Sequence, residues 1–177
     1  MRWPFVFLFL LSSSSAWAGY FEIGSSYNYR ESHIDEDNRT ISRSITGSFS
    51  YYFWEQSAIE LSYTEGTTDI RLEEVKVNVK FQIYGADLIL SFGDKESWFK
   101  PYVKGGAIYQ VKSTRTQYSE IDKTVKSSGT SPSAGVGFRL MLTQNFVFRA
   151  GADAWASSSS DTTTYDLVGR AGVSWMF

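Results

Sequence analysis

Strict alternation of apolar and polar residues is the feature that most constrains the fold of this chain. Val136, Phe138 and Leu140 fall on one face of an extended segment, and Arg139 falls on the other. A period of two residues indicates a β-strand. The pattern recurs in eight segments: residues 19–31, 39–54, 57–68, 73–92, 99–112, 128–142, 145–157 and 163–177. We therefore predict an all-β fold, an eight-stranded antiparallel up-and-down barrel.

Charged residues occupy the face opposite the apolar one. They are Glu22, Arg30, Glu60, Asp87, Lys104, Arg139, Arg149, Asp153, Asp166 and Arg170. A basic group at the centre of a bilayer costs ~2–4 kcal/mol, so these side chains cannot face lipid. We predict a transmembrane barrel with a charged interior network, in which Asp153 and Arg170 contact each other across adjacent strands. A secreted soluble barrel with an apolar, ligand-binding interior is the alternative fold, and the charged face argues against it.

The charged interior has two interpretations. An eight-stranded barrel encloses little more than its own side chains, which favours a polar plug of ion pairs. A narrow or gated ion channel is the alternative. In the fourth segment the apolar phase shifts after Ile83, and we predict a β-bulge near Gly85 that absorbs the shift.

The first residues are typical of a secretory signal peptide. Arg2 precedes the apolar run "FVFLFLL" (Phe5–Leu11), and "AWA" precedes Gly19. The apolar run is too short to span a bilayer as a helix. We predict a signal peptide over residues 1–18 and one barrel domain over residues 19–177. The chain has no cysteine, and its 17 basic and 19 acidic residues give no support for a nucleic-acid partner.

The connections between segments alternate in length. The short ones are Trp54–Ser57, Gly93–Trp98 and Leu142–Asn145. The longer, charged ones are Glu31–Asn38, Glu65–Leu72 and Ser113–Ser127. Outer-membrane barrels have short periplasmic turns and longer extracellular loops, so we predict that both termini are periplasmic. Aromatic residues gather at both sets of segment ends, as two interfacial aromatic belts would require. The predicted periplasmic ends carry Phe53, Trp54, Phe92, Trp98, Phe99, Phe146, Trp175 and Phe177, and the other ends carry Tyr27, Tyr29, Tyr63, Tyr109 and Tyr165.

The eight amphipathic segments and the terminal "VSWMF" resemble the small eight-stranded outer-membrane proteins of Gram-negative bacteria, of the OmpX and OmpA membrane-domain type. In that family the last strand ends in an aromatic residue that the barrel-assembly machinery recognises, and Val173, Trp175 and Phe177 match the pattern. The resemblance implies residence in the outer membrane of a Gram-negative bacterium. The partners that it implies are outer-membrane lipids and lipopolysaccharide, with the assembly machinery during biogenesis.

Catalysis has little support in the sequence. Some small outer-membrane barrels modify lipid A with a histidine, a serine and an acidic residue, but the only histidine is His33, among the charged residues "ESHIDEDN". A catalytic serine needs a base within reach, and no second histidine supplies one. We predict no catalytic residues, no cofactor and no metal site.

The third long connection is the candidate surface-contact loop. Its candidate contact residues are Arg115, Tyr118, Lys123 and Lys126. It would contact lipopolysaccharide phosphates, a host surface or a neighbouring envelope protein; a mobile polar cap is the alternative. The predicted function is a structural or surface-interaction role with a polar, plugged interior. An ion channel ranks second, and a lipid A-modifying enzyme ranks third.

Overall fold

The computed structural model of the chain describes residues 19–35, 38–72, 75–94, 96–118, 121–159 and 162–177. Within those residues it contains eight β-strands. They are β1 (Tyr20–Asp35), β2 (Asn38–Trp54), β3 (Ser57–Leu72), β4 (Val75–Ser91), β5 (Phe99–Tyr118), β6 (Ile121–Met141), β7 (Phe146–Ser159) and β8 (Thr162–Met176). The described part of the chain has no helix capable of crossing a membrane.

The strands form a closed barrel in which each one pairs antiparallel with the next and β8 pairs with β1. This confirms the predicted fold. We call the end that carries Gly19, Phe177 and the β2–β3, β4–β5 and β6–β7 connections the turn end, and the opposite end the hairpin end. Closure pairs the backbone N–H and C=O groups that would remain unpaired at the edges of an open sheet. Strands in lipid require this pairing, because no water is present to form hydrogen bonds with them.

Alternation places the two faces as predicted. In β4 the side chains of Leu88 and Leu90 are exposed on the outer wall, whereas those of Asp87 and Ile89 are buried inside. The outer wall of the turn-end half is apolar on every strand that passes through it, with residues such as Ile23, Leu61 and Val103 exposed. Lipid is the solvent that such a surface requires, because water would leave it unfavourably exposed.

The strands are longer than predicted. β3 extends to Leu72, and the β5–β6 hairpin continues to Tyr118 and resumes at Ile121. The predicted loops Glu65–Leu72 and Ser113–Ser127 are therefore wrong, and most of Glu31–Asn38 is strand as well. The physical reason is that backbone hydrogen bonds form whatever the side chains are, and beyond the lipid both faces of a strand can be polar.

The bulge predicted near Gly85 is also wrong. The pairing of β3 with β4 runs from Ser57–Leu90 to Leu72–Val75 without a register shift. Val79 and Phe81 face the interior, and Lys80 faces outward. The alternation of inward and outward residues therefore continues unchanged along β4. What changes is polarity: toward the hairpin end the outer wall is polar and the interior side of β4 is apolar.

The buried hydrophobic cluster lies inside the turn end. It consists of Tyr52, Ala58, Ile89 and Tyr102. Tyr20 stacks on Tyr52 with 4.3 Å between ring centroids. Stacked aromatic pairs add to the stabilisation from burial, and here the rings fill the lumen beside the turns.

Candidate functional site

The charged interior begins at Glu22, which lies just above the aromatic cluster. Its carboxylate forms an ion pair with Arg139 and accepts hydrogen bonds from Tyr52 Oη at 3.0 Å and from Ser174 Oγ at 2.7 Å. The guanidinium of Arg139 also lies 4.8 Å from the centre of the Tyr52 ring. Glu22 and Arg139 are both about 1% exposed. A buried carboxylate with this many donors is held in one position.

Arg149 connects this group to the opposite wall. Its Nη1 atom lies 3.4 Å from Glu22 Oε1 and 2.8 Å from Glu60 Oε2. Ser50 Oγ donates a further hydrogen bond of 3.1 Å to Glu60. Arg149 is on β7 and Glu60 is on β3, which face each other across an eight-stranded barrel. The ion pair therefore crosses the lumen.

Lys104 continues the chain of charges toward the hairpin end. Its ammonium nitrogen lies 3.4 Å from Glu60 Oε1, 3.3 Å from Asp87 Oδ2 and 3.2 Å from Asp153 Oδ1. Asp153 in turn forms an ion pair with Arg170. Acidic and basic groups thus alternate along one connected interior network. Lys104 donates hydrogen bonds to Glu60 and Asp87, and Asp153 is its third carboxylate ion-pair partner.

The interior network contains every charged residue predicted to face inward except two. The side chain of Arg30 lies outside the described residues, and Asp166 pairs with Lys112 nearer the hairpin end. Its members are Glu22, Glu60, Asp87, Lys104, Arg139, Arg149, Asp153 and Arg170. The positive and negative charges balance. Burying an ion is costly unless partners surround it, and mutual pairing offsets that cost here.

Sequence reasoning missed the hydroxyl donors and Lys112, the partner of the predicted inward-facing Asp166. Ser133 Oγ donates to Asp87 at 2.7 Å, in the same way as Ser50 and Ser174 donate to glutamates. Lys112 Nζ lies 3.5 Å from Asp166 Oδ2 above the network. The alternation could have identified them, because each of these residues occupies a position that faces inward on its strand.

Gly135 makes room for the network. It pairs with Lys104 in the sheet, and its face points inward. A Cβ atom added there would lie 2.9 Å from Lys104 Cε and would also meet Asp153. A larger residue would force the lysine away from its carboxylates, so glycine at this position is part of the site.

The outer wall carries an aromatic row that spans three strands. Tyr63, Tyr84 and Tyr109 pair side by side on β3, β4 and β5. The ring centroids of Tyr63 and Tyr84 are 5.2 Å apart, and those of Tyr84 and Tyr109 are 6.4 Å apart. Tyrosine is typical of the boundary between lipid and water. The row therefore marks where the apolar wall ends toward the hairpin end.

Beyond the aromatic row lies a group of outward-facing cations. One register row joins Arg43, Thr67, Lys80, Ser113 and Lys126 on β2 to β6. Arg115 follows two residues beyond Ser113 on the same face. We call Arg43, Lys80, Arg115 and Lys126 the outer basic patch; all four side chains are exposed. The guanidinium of Arg43 also lies 5.8 Å from the centre of the Tyr29 ring, at the lipid boundary.

The predicted surface-contact residues are divided between the two faces of the β5–β6 hairpin. Arg115 and Lys126 belong to the outer basic patch, whereas Lys123 pairs with Thr116 and faces the other way. The side chains of Tyr118 and His33 lie outside the described residues. Arg43 and Lys80 were missed, although both continue the outward phase of their strands.

The C-terminal residues close the barrel. Val173 and Trp175 face outward and pair with Ser25 and Ile23 of β1. The Phe177 backbone exchanges two hydrogen bonds with Phe21, of 2.9 Å and 3.3 Å. The residues proposed from sequence as the assembly signal therefore form the outer face of the closing strand.

Comparisons with solved structures show the same fold. The N-terminal β-barrel domain of Pseudomonas aeruginosa OprF aligns with a TM-score of 0.62 and 21% identity over 89% of this chain and 97% of that one. Neisserial surface protein A gives 0.61 and 17% over 90% and 97%. Ail, the attachment invasion locus protein of Yersinia pestis, gives 0.57 and 16% over 90% and 97%. Ail has also been crystallised in complex with the heparin analogue sucrose octasulfate.

The sequence itself was compared with curated proteins and with protein families. No curated protein sequence matches the chain. The family model of the outer membrane protein beta-barrel domain matches residues 5–177. That match covers nearly the whole chain, and the closed barrel with its apolar outer wall agrees with it. The chain belongs to the outer membrane protein beta-barrel domain family.

Proposed function

We propose that the protein is a non-conducting outer-membrane barrel that binds the phosphate groups of lipopolysaccharide through its outer basic patch. The observation that carries this proposal is the position of Lys80 and its neighbours. They face outward directly beyond the aromatic row, where the anionic headgroups of the outer leaflet lie. The role is structural and interaction-based, and it needs no chemical reaction.

Orientation follows from the two ends of the barrel. Gly19, Phe177 and the tight connections lie at the turn end, an arrangement typical of the periplasmic side of outer-membrane barrels. The hairpin end, with strands that extend beyond the aromatic row, then faces the cell exterior. Lipopolysaccharide occupies the outer leaflet, so its phosphates and the outer basic patch are on the same side of the membrane.

The distance of the patch from the lipid boundary supports phosphate binding. Lys80 lies four residues beyond Tyr84 on β4, or about 13 Å along the strand. Because strands in such barrels tilt by ~35–45°, the register row climbs around the wall. Arg43 then lies nearest the aromatic belt and Lys126 farthest from the membrane. The patch spans a range of depths, as the phosphates of lipid A and of the inner sugars would.

The charge balance of this surface is positive. Two carboxylates, Glu65 and Asp69, face outward among the described residues of the same region, against four cations. Asp69 accepts a hydrogen bond of 2.5 Å from Asn78. Each Lys or Arg near an anionic membrane surface contributes about 1 kcal/mol. The complex of Ail with a sulfated sugar shows that another barrel of this fold takes a polyanion; for this chain the basis is its own cations.

The closed interior supports the non-conducting part of the proposal. Arg149 and Glu60 meet across the lumen, and the aromatic cluster around Tyr52 fills the space between that pair and the turn end. An ion crossing the barrel would have to separate paired charges. We therefore assign the interior network a structural role.

A charge-reversal experiment tests phosphate binding. The double variant Lys80→Glu/Lys126→Glu should bind lipopolysaccharide in detergent solution at least about tenfold more weakly than the unmodified protein. Lys123→Glu is the matched control for Lys126→Glu, because it makes the same change of charge on the opposite face of the same hairpin. The unmodified protein and the variants should bind dephosphorylated lipopolysaccharide with equal affinity. Equal weakening by Lys123→Glu, or full affinity for the dephosphorylated glycolipid, would rule the proposal out.

A further inference from the structure

The hairpin-end half of the barrel encloses a large cavity, which we call the cup. Its volume is about 1050 Å³. The interior network forms its floor, at Lys104, Asp153 and Arg170. Sites for small molecules commonly have volumes of roughly 300–1,000 Å³, so the cup is large enough for a lipid-sized ligand.

The two walls of the cup differ in chemistry. β2 and β3 contribute hydroxyl groups, several of which are paired with each other; Thr46 and Thr64, for example, are 2.7 Å apart. β4 and β5 contribute apolar side chains, among them Ile83 and Ile108. The Phe81 ring lies against Gly66 of β3, at the position that a Cβ atom would need. The ring therefore lines the wall, and the cup has an apolar side and a hydroxyl side.

The charges of the cup already have partners. Lys104 and Arg170 pair with Asp153, and Lys112 pairs with Asp166 nearer the mouth. A charged ligand would have to break one of these pairs, which leaves an uncompensated charge. An uncharged ligand avoids that cost. The electrostatics of the cup thus select against ions.

One polar atom of the wall lacks a partner. The indole nitrogen of Trp155 is buried and, among the described residues, has no hydrogen-bond acceptor. Trp155 lines the cup. A buried N–H without an acceptor costs about 1–3 kcal/mol. Protein atoms cover this nitrogen, so a ligand in the cup meets the Trp155 ring and not its N–H.

The cup also opens sideways between β1 and β8. Pairing of these strands stops at Tyr27–Ala171, whereas β1 continues to Asp35 and β8 begins at Thr162. In the next position the Asn28 side chain donates to the Gly169 carbonyl across the gap. Outward-facing residues beside the gap, such as Tyr29 and Leu167, line the same cavity as the inward-facing Arg170. The gap therefore connects the cup with the outer wall.

The position of the gap relates it to the membrane. It begins at Tyr27 and Tyr29, whose rings face outward at the lipid boundary, and Leu167 beside it is 64% exposed. Unpaired strand edges are not tolerated in the hydrocarbon region, so a gap can begin only where lipid ends. The headgroups of amphiphiles lie at that depth.

We propose that the cup binds one uncharged amphiphile, an alkyl chain with a hydroxyl or carbonyl oxygen, that enters from the outer leaflet through the gap between β1 and β8. The oxygen lies against the hydroxyl groups of β2 and β3, and the ligand contacts the Trp155 ring. The chain lies along the apolar wall formed by β4 and β5.

Tryptophan fluorescence tests binding. In the exported protein, Trp54, Trp98 and Trp175 are replaced with Phe, so that emission reports Trp155, and the protein is reconstituted in phosphatidylcholine vesicles. Bromoundecanol should quench this emission at a saturable site, and undecanol should reverse the quenching. Quenching that rises in proportion to the alcohol without saturation would overturn the proposal. A brominated alkyl sulfate of the same chain length should bind about tenfold more weakly, so that about tenfold more of it is needed for the same quenching. Equal quenching by the two compounds would overturn the choice of an uncharged ligand.

Matched substitutions locate the site. Thr64→Phe fills the cup from β3, and Thr67→Phe adds the same ring to the outer face of the same strand. The first should abolish saturable quenching, and the second should leave it unchanged. Each variant is checked for folding by its migration on unheated gels. If both folded variants quench like the parent, the cup is not the site; competition by undecanol in the parent tests the proposal even where Thr64→Phe does not fold.

The route is tested by the rate of quenching. Gly169→Phe places a ring at the gap, where an added Cβ atom meets nothing within 4 Å. Val173→Phe adds the same ring to β8 below the gap, where β1 and β8 are paired. Gly169→Phe should slow quenching several-fold at unchanged saturation, and Val173→Phe should not. Equal rates would show that the ligand enters through the mouth of the barrel and would overturn the lateral route.

Discussion

Arg149 and Glu60 form an ion pair of 2.8 Å between β7 and β3, strands that lie on opposite walls of the barrel. Most contacts in a barrel join neighbours in the sheet, and this one joins the sheet to itself through the lumen. It fixes the cross-section at that level. The pair also separates the barrel into an aromatic, filled turn-end half and an open hairpin-end half.

Removing one charge of this pair should be costly. Glu60→Gln leaves Arg149 and Lys104 short of a carboxylate in a site where Glu60 is fully buried. We expect a loss of about 3–5 kcal/mol in the free energy of unfolding, measured by urea titration in lipid vesicles. Glu65→Gln, on the outer face of the same strand, is the control and should change the value by less than about 1 kcal/mol. Similar losses in both variants would contradict an interior role for Glu60.

The barrel should not conduct ions in planar bilayers. Arg149 and Glu60 close the lumen, so the unmodified protein should give no stable unitary currents. The double variant Arg149→Ala/Glu60→Ala leaves the aromatic cluster around Tyr52 in place, so it should give no stable unitary currents either. Stable currents from the unmodified protein would favour the channel interpretation instead.

A side chain at Gly135 should disturb the network around Lys104. Gly135→Leu should lower the free energy of unfolding by at least about 1–3 kcal/mol, the usual cost of overpacking, because the lysine must move. Gly129→Leu is the matched control on the same strand, since an added Cβ atom there meets nothing within 4 Å. Equal effects of the two substitutions would show that the space beside Lys104 is not limiting.

Loss of the last residue should impair assembly. Deleting Phe177 removes an exposed aromatic ring at the turn end and both backbone hydrogen bonds to Phe21. We expect less folded protein in the outer membrane, measured as the heat-modifiable band on gels of membrane fractions. Leu88→Ala controls for the loss of an apolar outer-wall side chain and should assemble normally. Normal assembly of the deletion variant would argue against a role of Phe177 in recognition.

The alternation in the sequence predicts the strand number, the closed topology and the inward side of residues such as Glu22 and Arg139. It fails where the surroundings change along a strand. On β4, Val79 faces inward like Asp87, and Lys80 faces outward like Leu88. Beyond the lipid, however, the inward residues are apolar and the outward residues are polar. In the sequence this exchange looks like a bulge or a loop. Parity also cannot predict which charges meet across the lumen. That choice depends on strand tilt and stagger, which bring Arg149 to Glu60 although their strands are not neighbours.

The long β5–β6 hairpin has a thermodynamic consequence for recognition. Its strands pair without interruption from Phe99–Leu140 to Tyr118–Ile121, so Arg115 and Lys126 project from a sheet and not from a loose segment. A flexible loop loses conformational entropy when it binds, at about 1–2 kcal/mol for each backbone residue that becomes fixed. A paired strand has already lost it during folding. Its cations therefore bind a multiply charged surface with little further ordering, and affinity depends mainly on how well the spacing of the two sets of charges agrees.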